Sequence, residues 1–150
     1  MPLSTKIIQF CIYFLTLGFV GSYSFGHCQV PCGIYDDASR VQQMLEDVST
    51  IDKAINQIIE LNDKSDAQSA QQLVRWVNNK EIHADKIITT ISNYFLTQRV
   101  KPSAEDYLLQ LSEHHRVILL SMKVKQKADA EVAKDLRKSV EALSKYYPSH

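Results

Sequence analysis

Val41, Met44, Leu45, Val48, Ile51, Ile55, Ile58 and Ile59 recur at steps of three and four. That spacing lays one continuous apolar stripe along a helix and is incompatible with a strand, whose side chains alternate between two faces. A stripe of this length has to be covered by other elements. Only four glycines and four prolines interrupt the 150 residues, and Ala, Leu, Lys, Glu, Gln and Ile are plentiful, so the covering elements are expected to be helices, with little or no strand.

Three more helical segments can be read. Asp36 and Asp37 can cap the first and complement its positive end, and Asn62-Asp63-Lys64-Ser65-Asp66 ends it with turn-forming residues. A second helix is expected from about Ala67 to Leu96, with Leu73, Val77, Ala84, Ile87, Ile88, Ile91, Tyr94 and Phe95 on its buried side. Arg99-Val100-Lys101-Pro102 stops it, because proline disfavours helix in the residue before it. Ser103 and Asp106 resemble a capping pair for a third helix carrying Tyr107, Leu108, Leu111, Ile118, Leu119 and Met122 inward. A fourth carries Val132, Leu136, Val140 and Leu143, and the break before it falls somewhere in Lys123 to Asp129 with no Gly or Pro to mark it.

Four amphipathic helices on short connections pack most simply as an all-α, antiparallel up-and-down four-helix bundle. The chain is long enough for one such domain. Lysine plus arginine balances aspartate plus glutamate at 17 each, so no strong field draws the protein to nucleic acid or to anionic membrane, and a nucleic-acid partner is excluded from the reading.

Residues 1–26 have the pattern of a cleavable export signal. Lys6 is their one charged side chain, Ile7 to Gly21 is interrupted only by Gln9 and Thr16, and Ser24-Phe25-Gly26 offers small residues before a cut. A leader-processing protease would then expose His27 as the new chain start. The released protein, with 16 basic and 17 acidic groups, would be exported to a periplasmic or extracellular space and keep no stable membrane association. The other reading of the same run is an uncleaved anchor, since it lies near the lower length for crossing a bilayer.

Between leader and bundle lies His27-Cys28-Gln29-Val30-Pro31-Cys32-Gly33-Ile34-Tyr35. Cutting before His27 gives the segment a free amine, an imidazole, a deprotonable amide and two thiolates within six residues. The His27 amine and Cys28 amide nitrogen close a five-membered ring on a metal, and the amide with the Cys28 sulfur closes another. Cys32 can supply the remaining in-plane donor after a turn that Pro31 restricts and Gly33 permits, with the His27 imidazole reaching from an axial direction. A plane of nitrogen and sulfur with an axial nitrogen suits Ni(II) or Cu(II) better than tetrahedral zinc. A Cys28–Cys32 disulfide is the competing reading in an exported protein, although so short a loop would constrain little of the unfolded chain.

His-Cys-x-x-Pro-Cys-Gly-x-Tyr behind a removable leader and ahead of a helical domain resembles the nickel hook of nickel-containing superoxide dismutases. The resemblance implies a four-helix bundle in a homohexamer, one nickel ion per subunit, and disproportionation of superoxide to dioxygen and hydrogen peroxide by Ni(II)/Ni(III) cycling. It implies nickel ligation by His27 through amine and imidazole, Cys28 through amide and thiolate, and Cys32 through thiolate. Tyr35 would line the substrate approach and help deliver protons. Asn93-Tyr94-Phe95 is similar to an aromatic segment of the family. The chain departs from the family pattern at Gln29, where an aspartate is common, and at Gln42, where a glutamate orients the axial imidazole. Gln42 can accept a hydrogen bond without bringing charge, and Asn79 and His83 are the other candidates for support. The alternative from another class is an exported, non-enzymatic nickel- or copper-binding helical protein built on the same hook.

Elsewhere, His114 and His115 in Glu113-His114-His115 face different sides of a helix, and a buried or solvated histidine is the simpler reading than a second metal site. His83 with Asp85 reads as surface, Trp76 as core or subunit contact, and Arg99 and Lys101 as loop cations with some attraction for an anionic substrate.

Overall fold

The computed structural model describes residues 36–148, and the expected leader (1–26) and hook (27–35) lie outside them. The described residues are all-helical. They comprise α1 (Asp37–Leu61), α2 (Ala67–Thr90), which runs without interruption into a π-helical segment (Ile91–Arg99), α3 (Tyr107–Gln126) and α4 (Ala130–Leu143). No helix among them is long and apolar enough to cross a membrane.

Three starts follow one device. Asp36 accepts from the backbone N–H of Ala38 and Ser39 at 2.9 and 3.2 Å, Asp66 from Ser69 at 2.9 Å, and Asp129 from Glu131 and Val132 at 3.0 and 3.4 Å. Each satisfies donors that the first helical turn leaves without partners. The start of α3 differs. Asp106 makes no side-chain cap and instead accepts from the Gln110 side chain at 2.6 Å, so the expected Ser103–Asp106 capping pair does not form.

Cross-helix contacts give the arrangement. Asp47 meets His83, Lys80 meets Val124 and Lys125, and Ser49 meets Arg137. Chain neighbours therefore run antiparallel, with α1 packed on α2 and α4, and α3 closing the ring between them. Val48, Ile51 and Ile55 from α1, Ile87, Ile91 and Phe95 from α2 and its extension, Val117 and Val124 from α3, and Leu136, Val140 and Leu143 from α4 are fully buried. Each such side chain contributes about 1.5–3 kcal/mol of transfer free energy.

Two expectations about faces are corrected. Val77, expected inside, is exposed, as are Val74 and Ile82 on the same helix. Helix α3 is turned further. Leu108 (77% exposed), Leu111, Leu119 and Met122 face outward, while His114, Val117, Ser121 and Val124 face the core. The helix carries two stripes, and the more apolar one is the outer one. Its inner stripe includes a histidine and a serine, which a hydropathy pattern does not count as core.

A tertiary contact meets the α3–α4 break. The buried Lys80 ammonium donates to the carbonyls of Val124 and Lys125 at 2.6 and 2.5 Å, occupying acceptors that helix ends leave open. The chain then turns extended at Lys127 and restarts at Asp129.

Candidate metal centre

The ligands expected from the sequence, His27, Cys28 and Cys32, and the expected gate Tyr35 lie outside the described residues. The structure describes the end of the bundle to which that segment is joined, because Asp36 caps α1 and follows Tyr35 directly. Among the described residues no group of three or more His, Cys, Asp or Glu side chains is placed to hold a metal. In the sequence, nitrogen and sulfur donors are densest in His27-Cys28-Gln29-Val30-Pro31-Cys32.

Asp37, in the first turn of α1, sits against the π-helical segment. Its Oδ1 accepts from Arg99 Nε at 2.7 Å and from the Tyr94 hydroxyl. Arg99 Nη2 reaches the same hydroxyl at 2.8 Å, with the guanidinium 5.0 Å from the Tyr94 ring centroid. Tyr94 and Arg99 are five residues apart, and the wider i→i+5 turn brings both to one carboxylate. Val100 N–H bonding to the Phe95 carbonyl at 2.9 Å is one rung of that ladder. Burial, and then the hydrogen bond to Asp37, raise the Tyr94 pKa above its ordinary value, so the phenol holds its proton. Arg99, read from sequence as a loop cation, is thus an ordered partner of Asp37.

Behind this cluster lies a second one. His114 is fully buried, with Nδ1 2.7 Å from the Gln110 carbonyl and Nε2 2.9 Å from the Tyr147 hydroxyl. A carbonyl only accepts, so Nδ1 carries the proton and Nε2 accepts from Tyr147. Burial lowers the His114 pKa and raises that of Tyr147. The Tyr147 ring packs on Phe95 with centroids 4.5 Å apart. Glu113 pairs with Lys145 at 2.7 Å, while His115 is exposed.

The three candidates for supporting an axial imidazole are not brought together. Gln42 is exposed and lines a groove of about 500 Å³ beside Asp36. His83 is half-buried and bonded through Nδ1 to Asp47 at 2.6 Å, one to two turns further along α1. Asn79 is exposed a turn before His83 on α2, so it lies further still from the start of α1. Gln42 alone of the three lies beside the point where the hook joins. Sequence reasoning missed Asp37 as a partner of Tyr94 and the His114–Tyr147 pair. The family-like Asn93-Tyr94-Phe95 segment was the signal for the first, and no periodic pattern signals the second.

No curated relative and no solved structure matches the chain. A family model described as nickel-containing superoxide dismutase matches residues 23–150, a span that takes in the hook sequence and every helix described above. The chain belongs to the nickel-containing superoxide dismutase family.

Proposed function

We propose that this protein is a nickel-dependent superoxide dismutase whose nickel is held by His27 through its amine and imidazole, by Cys28 through its amide and thiolate, and by Cys32 through its thiolate. The observation that carries this reading is the family match over residues 23–150, with His27, Cys28, Pro31, Cys32, Gly33 and Tyr35 all present at the hook positions. When bound, nickel would supply the one-electron couple that both oxidises and reduces superoxide, brought into reach by two anionic sulfurs and an anionic amide. The chain's own part is to hold the hook still, keep bulk access narrow and supply protons. Narrow access matters because peroxide oxidises exposed thiolates. Gln42, on the first turns of α1, is an amide that can hydrogen-bond an imidazole without raising its basicity as a carboxylate would. Tyr35 is the residue this reading assigns to the substrate approach, and the Tyr94 phenol, kept protonated by burial and by Asp37, is a hydroxyl held in fixed orientation by the first turn of α1.

Cleavage before His27 is an activation step in this reading, since an uncut chain presents an amide in place of the amine donor. A processing protease outside the chain, and export to a periplasmic or extracellular compartment, follow from the leader. Self-association, as a homohexamer by resemblance, is supported by the outer stripe of α3, because a helix apolar on both faces is one covered on both faces.

Nickel analysis and superoxide turnover of the trimmed protein test the proposal together. Turnover with bound nickel, lost in His27→Gln, supports the enzyme. Bound nickel without turnover supports the non-enzymatic carrier, and a Cys28–Cys32 disulfide without metal overturns both.

A further inference from the structure

Helix α3 turns Leu108, Leu111, His115, Leu119 and Met122 outward, all of them exposed. Their spacings are those of a coiled-coil seam, and read from His115 they are the same in both directions. Leu111 and Leu119 lie four residues to either side, and Leu108 and Met122 lie seven. The charges at the two ends are opposite in sign. Glu105 and Asp106 are exposed in the turn before the helix, while Lys123 in its last turn and Lys127 just beyond it are exposed at the other end.

A second α3 laid antiparallel satisfies both patterns at once. A twofold axis through His115 sets Leu111 against Leu119, Leu108 against Met122 and the acidic end against the basic one, and it opposes the two helix dipoles. A parallel partner would bring acid to acid and base to base. We propose that two copies of this chain pair antiparallel along α3, with the two His115 imidazoles meeting on the twofold axis. The pairing rests on the reading of this stripe as a self-association face, and it is independent of the nickel reading. His115 sets the register. On the axis each imidazole has the other as a hydrogen-bond partner, one ring donating and one accepting, whereas a slip of one turn would set both against leucine and leave buried ring nitrogens unpaired.

Photocrosslinking tests the pairing. The leader-trimmed full chain carrying benzoylphenylalanine in place of Leu108 is irradiated as a mixture of ¹⁴N and ¹⁵N copies, and crosslinks between copies are mapped by mass spectrometry. Crosslinks from position 108 to the neighbourhood of Met122 in the second copy are the expected result, and from benzoylphenylalanine at position 119 to the neighbourhood of Leu111. Crosslinks from 108 to the start of the second α3 mean a parallel pair and overturn the proposal. An assembly by light scattering with no crosslink between the two helices overturns the pairing and leaves self-association standing, whereas a monomer overturns both. Charge reversal reads the direction independently. Lys123→Glu should weaken the pairing by about tenfold, since the twofold axis repeats each altered contact, and adding Glu105→Lys should restore it. Unchanged association in Lys123→Glu, or no recovery in the double variant, overturns the antiparallel arrangement.

Discussion

The Tyr147 hydroxyl donates to His114 Nε2 at 2.9 Å in the core of the bundle, joining the last turn of the chain to the middle of α3. The bond requires a neutral imidazole, because Nδ1 already gives its proton to the Gln110 carbonyl at 2.7 Å and a second ring proton would displace the Tyr147 donor. Burial holds the His114 pKa below its ordinary value of 6.5. The sign follows from linkage. Below about pH 6.5 the unfolded chain takes a proton that the folded chain resists, so the stability present above that pH is lost as pH falls from there through the lower folded value. Urea unfolding at pH 7.5 and pH 5.5 should show this loss, and His114→Leu should flatten it. Equal pH dependence in both proteins would contradict the assignment.

Tyr147→Phe keeps the ring on Phe95 and removes only the hydroxyl. It leaves a buried imidazole nitrogen unpaired, which costs about 1–3 kcal/mol. Chemical denaturation at neutral pH checks the magnitude, and a change below a few tenths would mean that water replaces the hydroxyl.

Lys80 closes α3 from a different helix. Lys80→Met keeps the stem and removes the charge, leaving the Val124 and Lys125 carbonyls without the donor that now serves them. Hydrogen bonds from charged groups are worth about 1.5–3 kcal/mol, and a destabilisation of about 2 kcal/mol is expected. Hydrogen exchange should localise it to the last turn of α3. Protection lost evenly over all four helices would show a general packing defect instead.

Asp37 and Arg99 form a partly buried pair, with side chains 29% and 21% exposed. A double-mutant cycle with Asp37→Asn and Arg99→Gln should return a coupling of about 1 kcal/mol. A coupling near zero would mean that Tyr94, bonded to both, is held by its ring packing alone.

These cases also mark what was legible in the chain. Asp36 declares a helix start because a carboxylate satisfies free amides whatever the tertiary setting, whereas Asp66 and Asp129 cap helices at positions the sequence reading left inside a turn and an unmarked break. The stripe read from Val41 to Ile59 declares its buried face as far as Ile55 because no rival stripe exists on α1, and its last member, Ile59, is exposed. Helix α3 has a rival, and the leucines of the outer one outweigh the inner His114 and Ser121. At the α3–α4 break the last carbonyls of α3 accept from Lys80, 44 and 45 residues away, a contact that no local pattern shows. The pairing of Arg99 with Asp37 depends on a widened helical turn in Ile91–Arg99 that propensity does not encode. Of the candidate site, the family was legible because the hook motif resides in nine consecutive residues, whereas the Asp37–Tyr94–Arg99 cluster joins residues about sixty positions apart and shows in no local pattern.

The outer stripe of α3 gives a further expectation. Leu108→Glu with Leu119→Glu places charge on exposed positions and should leave monomer stability within about 0.5 kcal/mol. Light scattering should report a smaller assembly than for the unsubstituted protein. An unchanged mass would contradict a role for this face in self-association.

The central claim is that a newly exposed chain start at His27 makes the nickel site. Its most direct test is nickel content together with superoxide turnover, measured on one preparation before and after removal of residues 1–26, with nickel supplied under reducing conditions. One nickel per chain and turnover in the trimmed form alone are the expected result; a trimmed protein that stays empty of nickel, or an untrimmed one that turns over equally well, would contradict it.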